Sequence, residues 1–378
     1  MSESHVSGSG DSLKDVKKII VTHPVDNHPA DTHHDTGHVF NGGKGDDVLW
    51  GTSGADTLNG GDGNDVLDGG AGDDALNGGG GVNTAAYGDA GSGVTVSLAV
   101  TGAQDTHGAG VDTLTLIQNL TGSHFADVLT GSDGANVLSG GGGADVLNGG
   151  GGNDTLLGGD GADTLDGGAG NDVLNGGDGQ NTASYADATA GVTVTLGVHG
   201  AQDTHGAGLD TLIQVQNLTG SDFNDTLTGD DGANVLTGGK GDDVLAGGGG
   251  NDTLVGGDGN DTLAGGAGSD TLTGGGGNDT FVFTQARDSM REHPDLITDF
   301  TAGDKIDLHA IDANTGMLED QEFHVGGGGG HAGDMVVSFD AAHNRTSISL
   351  WTGDHDRVDS VIWLTGDHHD LTAADFIL

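Results

Sequence analysis

Aspartate recurs at every ninth residue through three stretches of this chain, and the residues between are mostly glycine. The clearest stretch runs without a gap from Gly220 to Val282 and repeats one phrase, G-G-x-G-x-D-x-L-x. Its sixth positions are Asp225, Asn234, Asp243, Asp252, Asp261, Asp270 and Asp279. An earlier array from Gly42 to Ala86 carries Asp47, Asp56, Asp65, Asp74 and Asn83. A second, from Gly122 to Ser184, carries Asp127, Asn136, Asp145, Asp154, Asp163, Asp172 and Asn181. Carboxylates set among glycine carbonyls are hard oxygen donors. Calcium takes about six to eight oxygens and accepts such mixtures, so these aspartates are its candidate ligands. Asparagine offers only a neutral oxygen, so weaker calcium binding is expected at Asn83, Asn136, Asn181 and Asn234.

The phrase also says what must position these groups. Its first six residues are too glycine-rich for helix and read as a tight turn. Its last three, such as Thr253-Leu254-Val255, read as a short strand with leucine inward. Nine residues then make half a coil, and two phrases close one turn. Stacked turns form two parallel sheets with leucine ladders between them. Ordering nine residues costs several times what one buried leucine returns, so the core is thin. Stacking also lines up aspartates whose charges repel. A divalent cation answers both problems, and metal binding and folding are expected to be one event.

Composition narrows the function. The chain has 378 residues, 79 of them glycine, and no cysteine. Its formal net charge is -48, which excludes nucleic acid and anionic membrane surfaces as favourable partners. Aromatic content of 4% is too low for an ordinary core of this length. The absence of cysteine removes disulfide and thiolate chemistry. The only apolar run near the start, Ile19-Ile20-Val21, is shorter than a secretory core, so no Sec-type signal is expected. No membrane span is expected either.

Outside the arrays, residues 1–40 read as a flexible leader. His23, His28, His33, His34 and His38 alternate there with Asp26, Asp31 and Asp35, a composition that also suits loose zinc or nickel binding. Two inserts, 87–121 and 185–219, separate the arrays. They are identical at 25 of 35 positions, so insert plus array forms a 98-residue unit that occurs twice. Val94-Thr95-Val96 and Val192-Thr193-Val194 read as strands, with Leu98 and Leu196 continuing the inward face. Gln104 to Gly110 and Gln202 to Gly208 read as protruding loops, in which Asp105, His107, Asp203 and His205 form either a ligand site or a polar tip. From residue 283 the nine-residue period stops. Ile297, Phe300, Ile306 and Leu308 are expected inward, and Met335 to Phe339, Ser347 to Trp351 and Val361 to Leu364 read as strands of a cap. Asp299, Asp304 and Asp307 are candidates for one further calcium.

The arrays resemble those of RTX proteins, the repeats-in-toxin group of bacterial secreted proteins. The segment from Phe281 onward, with its DLITDF, AGDKIDL, WTGDHDRVDSVIWLTG and terminal DFIL, is similar to the segment that follows the roll in serralysin-type metalloproteases. The resemblance implies an all-β fold: a calcium-loaded parallel β-roll solenoid with a C-terminal β cap behind a disordered leader. It implies export by a type I secretion machinery, with Asp375, Phe376, Ile377 and Leu378 similar to the uncleaved terminal signal. The phrases opening GSHF and GSDF depart from the pattern, since Phe125 and Phe223 replace the fourth glycine. No H-E-x-x-H and no G-x-S-x-G is present, so no protease or lipase chemistry is expected. The expected function is a non-enzymatic, secreted, multiple-calcium protein that acts as a surface, matrix or adhesive element. The alternatives are a secretion and stabilisation module of an RTX enzyme, or an effector that contacts a host or carbohydrate.

Overall fold

The structure is a computed structural model that describes residues 37–311, 323–326, 331–353 and 358–378. The leader through residue 36, with five of its six histidines, lies outside the described residues, as do Gly327 to Gly330 of the glycine loop. The chain divides into two compact units, residues 1–145 and 146–378.

Each unit is built of stacked parallel strands. Paired strands are offset by eighteen residues, as in Leu236↔Leu254 and Leu254↔Leu272, so two phrases do make one turn. The phrase leucines are the core: Leu49, Leu58 and Leu67 in the first unit, and Leu236, Leu254 and Leu263 in the second, are fully buried. Burying a leucine contributes about 2–3 kcal/mol, and each turn stacks two.

The strands are longer than the sequence suggests. Thr253–Asp258 and Thr262–Ala267 run through both leading glycines of the next phrase, and the second of these pairs across the sheet, as in Gly257↔Gly275 and Gly248↔Gly266. Glycine is a poor strand former because of its freedom, but stacked copies at one spacing supply its hydrogen-bond partners on both sides. The true turn is only the G-x-D portion. The first strand, Val39–Lys44, also begins inside the expected leader, with Phe40 paired to Leu58.

Each insert ends one sheet and starts another. In the first unit the strands 39–44, 57–62, 75–80 and 111–115 pair in parallel, and 103–105 then closes the edge antiparallel. The strand 95–97 opens a new ladder with 128–132. Meanwhile 84–86, 119–121 and 137–142 continue across the insert unbroken. The second unit repeats this: 202–203 closes on 209–213, 193–195 opens a ladder with 226–228, and 182–184 continues through 217–219 to 235–240. Each expected loop therefore begins as strand, at Gln104-Asp105 and Gln202-Asp203. Gln104 bonds the backbone N–H and carbonyl of Ser97, and Thr106 is fully buried. Leu196 is buried as expected, whereas Leu98 is only half-buried.

Beyond the last array, 295–297 and 360–365 extend one parallel sheet, and 345–350 and 334–340 add antiparallel strands. Ile297, Phe300, Ile306 and Leu308 are all buried there. The terminal strand Phe376–Ile377 pairs with 305–307 and closes the other sheet.

Candidate metal centres

The phrase aspartates form columns. Within an array Oδ1 accepts the backbone N–H of the residue eighteen earlier: Asp225 N–H to Asp243 at 2.8 Å, Asp243 to Asp261 at 2.9 Å, Asp261 to Asp279 at 2.9 Å. After the inserts, Asp127 and Asp225 accept instead from Val94 and Val192. The other oxygen distinguishes two classes of phrase.

In the first class the second and fourth residues are both glycine, and both take the left-handed backbone, as at Gly257 (φ 122°) and Gly259 (φ 146°). Within this class, Asp65, Asp74, Asp172, Asp243, Asp252, Asp261 and Asp270 each bury an Oδ2 that has no hydrogen-bond partner. The first glycine of the phrase has a different task. A Cβ on Gly256 would collide with Asp261 Oδ2 and lie 2.5 Å from the Gly274 carbonyl. Carboxylate and carbonyl oxygens thus converge over a residue that has no side chain.

In the second class the second residue is Thr52, Ser123, Ser132, Asp230 or Ser221, and neither it nor the fourth residue is left-handed. The protein then satisfies its own sixth residue. Ser221 donates from its N–H to Asp225 Oδ2 and from its hydroxyl to Oδ1 at 2.8 Å; Ser123 does the same to Asp127. Thr52 donates its N–H at 2.6 Å and its hydroxyl at 2.8 Å to Asp56 Oδ2. Ser132 serves Asn136, and the Asp230 N–H serves Asn234. Phe125 and Phe223 fit at the fourth position because no positive φ is required there. Sequence reading grouped Asp56, Asp127 and Asp225 with the rest. The residue at the second position carries the distinction.

The columns also outrun the arrays. Asp74 donates its N–H to Asp112 Oδ1 and Asp172 to Asp210 Oδ1, both at 3.0 Å. Asp270 continues to Asp295 at 2.8 Å, and Asp279 to Asp304 at 2.9 Å. Asp112, Asp210 and Asp295 were not among the expected site residues. Each is followed two residues later by Leu or Ile, the D-x-L signature outside its G-G frame. Asn83 and Asn181 instead pass their N–H groups to Gln118 and Gln216.

The cap candidates hold backbone. Asp299 accepts the N–H groups of Gly274 and Gly275, Asp304 also accepts from Thr301, and Asp307 pairs with His309 at 2.5 Å. Asp295 has the open, buried Oδ2 there. Asp375 caps its own short turn through Thr372, Phe376 is buried beside Ile306, and Ile377 pairs with Asp307. Leu378, the last residue, is half-buried. In the insert loops, Asp105 and Asp203 accept the N–H groups of His107 and His205, which are left-handed.

Burial of so many carboxylates raises their pKa values. Asp74, Asp172, Asp243 and Asp252 are pushed up to about 7 and Asp261 to about 6, chiefly by burial, with column neighbours adding repulsion. Asp295 reaches about 8, again through burial first and then the charges of Asp270 and Asp288. Among the described residues no three carboxylate or imidazole side chains converge on one point. A cation here would take one or two carboxylates and complete its shell from carbonyls, which fits calcium and not zinc.

A family profile described as Peptidase M10 serralysin C terminal matches residues 39–378. The chain belongs to this family. It is the serralysin C-terminal RTX region, a secreted, calcium-binding type of module, and not the catalytic part. The metalloprotease AprA of Pseudomonas entomophila (strain L48) is 45% identical over 71 residues, 18% of this chain and 14% of AprA. The chain thus spans about one seventh of that relative. Among solved structures, the AlgE6R2 subunit of the Azotobacter vinelandii mannuronan C5-epimerase is 33% identical over 40% of this chain and 90% of its own, at a TM-score of 0.31. The extracellular lipase LipA of Serratia marcescens is 19% identical over 67% of this chain and 40% of its own, at 0.28. Among the described residues no helix of this RTX region is long and apolar enough to cross a membrane.

Proposed function

We propose that this chain is a non-enzymatic extracellular protein that leaves the cell unfolded through a type I secretion machinery, folds on binding several calcium ions, and then serves as a surface, matrix or adhesive element. The row of buried Oδ2 atoms without donors carries the calcium step, because a buried unpaired carboxylate is costly and a cation removes that cost. The ions would be held by Asp65, Asp74, Asp172, Asp243, Asp252, Asp261 and Asp270 with their glycine carbonyls. Asp47, Asp145, Asp154, Asp163 and Asp279 join them because they stand in the same glycine-framed phrases. Asp295 joins them at the end of its column. Calcium supplies the positive charge that lets the columns stack. Asp56, Asp127 and Asp225 have ligands within the protein and need no ion.

A signal at Asp375 to Leu378 has to be accessible when it is read. Phe376 is buried in the folded chain, which agrees with export ahead of folding. Sedimentation velocity in chelator and then across a calcium series tests the reading. A slow, expanded species that becomes compact with calcium is expected. Equal compactness in both would overturn the calcium mechanism. Large ordered assemblies in calcium would support the matrix role, and a persistent monomer would oppose it.

The family match favours a second reading: the chain is the secretion and stabilisation module of an RTX enzyme whose catalytic domain is separate, since the matching profile is the C-terminal part of a peptidase. A catalytic polypeptide that copurifies with the calcium-loaded chain would select it.

A further inference from the structure

The ninth phrase position normally carries a small or neutral outward residue, but it is aspartate at Asp68 and Asp166, one in each unit. In the second unit a cavity of about 250 Å³ lies over this position. Asn148, Asp166, Tyr185, Asp187, Thr189 and Gly206 line it, the last from the loop of the second insert. Asp166 is fixed by the Gly168 N–H at 2.9 Å. The Tyr185 hydroxyl faces the carboxylates of Asp210, Asp166 and Asp172. That side chain is 3% exposed. The cavity is larger than a bare ion needs, and no three metal-binding side chains converge among the described residues.

We infer that this cavity binds a compact organic cation through a primary ammonium. Asp166 and Asp187 supply the charge, and the Tyr185 hydroxyl and the Asn148 amide supply hydrogen-bond acceptors. Glycine and alanine walls leave room for a short apolar stem. The first unit offers an internal comparison. There the strand neighbour of Asp68 is Trp50, where the neighbour of Asp166 is Asn148. The first unit thus carries a bulky ring at the position of the small amide, and Asp68 is only 8% exposed.

The test is calorimetric titration of the calcium-saturated full chain at fixed ionic strength with 1,4-diaminobutane, N-acetyl-lysine amide and, as a neutral control, 1,4-butanediol. Saturable binding of one ammonium per chain is expected, weakened about tenfold or more in Asp166→Asn and in Asn148→Trp, as loss of one ion pair in a cleft implies. Calcium-induced circular dichroism checks folding. Asn already stands at other ninth positions, as at Asn59 and Asn175, so Asp166→Asn preserves the strand. Binding of the diamine alone assigns the site to free amines, and binding of acetyl-lysine as well assigns it to lysine side chains. Absence of saturable amine binding, equal binding of butanediol, or unchanged affinity in Asp166→Asn would overturn the inference.

Discussion

Replacing Asp243 by Asn should stabilise the protein without calcium and destabilise it with calcium. Asp243 is 1% exposed, and burial, followed by the charges of Asp225 and Asp261, raises its pKa from 3.8 to about 7. At about pH 8 the group is nonetheless charged. A shift of that size corresponds to about 4 kcal/mol, which we halve to about 2 kcal/mol because solvent reaches the rim of the turn. Asparagine removes the charge and keeps the column bond, as Asn83 does for the Asp65 N–H at 2.9 Å and Asn181 for the Asp163 N–H at 3.0 Å. With calcium the balance reverses, because the variant lacks an anionic ligand. A site filled at about one hundred times its Kd contributes about 2.7 kcal/mol by mass action, and that is the most the variant can lose there. Circular dichroism reads both arms: an osmolyte series in chelator, where exclusion of the osmolyte drives folding, and a calcium titration. Asp243→Asn should fold at lower osmolyte and require more calcium. A variant that needs more osmolyte than the parent, or whose calcium midpoint does not move, would refute the reasoning.

The same carboxylates predict a pH response. The folded pKa values of Asp74, Asp172, Asp243, Asp252, Asp261 and Asp295, about 6 to 8, lie above the unfolded value of 3.8, so the folded chain binds more protons between. Their contribution is complete below about pH 4 and is lost as pH rises through 6 to 8, so the chelated protein should gain sheet signal on acidification, and a flat profile would count against it. Calcium must displace those protons, so its midpoint should rise as pH falls. Gly256→Ala should cost more than about 2 kcal/mol in urea unfolding with calcium, because its Cβ meets a ligand oxygen and a carbonyl, while Gly276→Ala, where the nearest atom is 3.7 Å away, should be mild. Ser221→Ala removes a hydroxyl bonded to buried Asp225 and should cost about 1.5–3 kcal/mol, with the calcium count by titration unchanged.

Most of the roll is legible in one phrase. The spacing of Asp252 and Leu254 against Asp270 and Leu272 sets an eighteen-residue turn, and nothing distant is needed to know that these leucines stack. The limits of the strands were not legible, because glycine propensity argues against a strand at Gly256-Gly257 and only the stacked neighbours supply its hydrogen bonds. That Asp56, Asp127 and Asp225 accept hydrogen bonds from Thr52, Ser123 and Ser221 was not legible for a similar reason. The residue that satisfies each carboxylate lies four positions earlier, in a turn whose handedness depends on two residues together.

The sequence by itself determined the period, the inward leucines, the oxygen-only donor columns and the end of the nine-residue period near residue 283. These follow from local spacing, since a repeat that meets only its neighbours is specified by its own composition. Tertiary structure alone decided that Asp112, Asp210 and Asp295 extend the columns and that each insert ends one sheet and begins another. Those outcomes depend on contacts 25 to 38 residues apart. There a hydrogen bond completed or left open is set by what stacks above, and no single phrase contains that information.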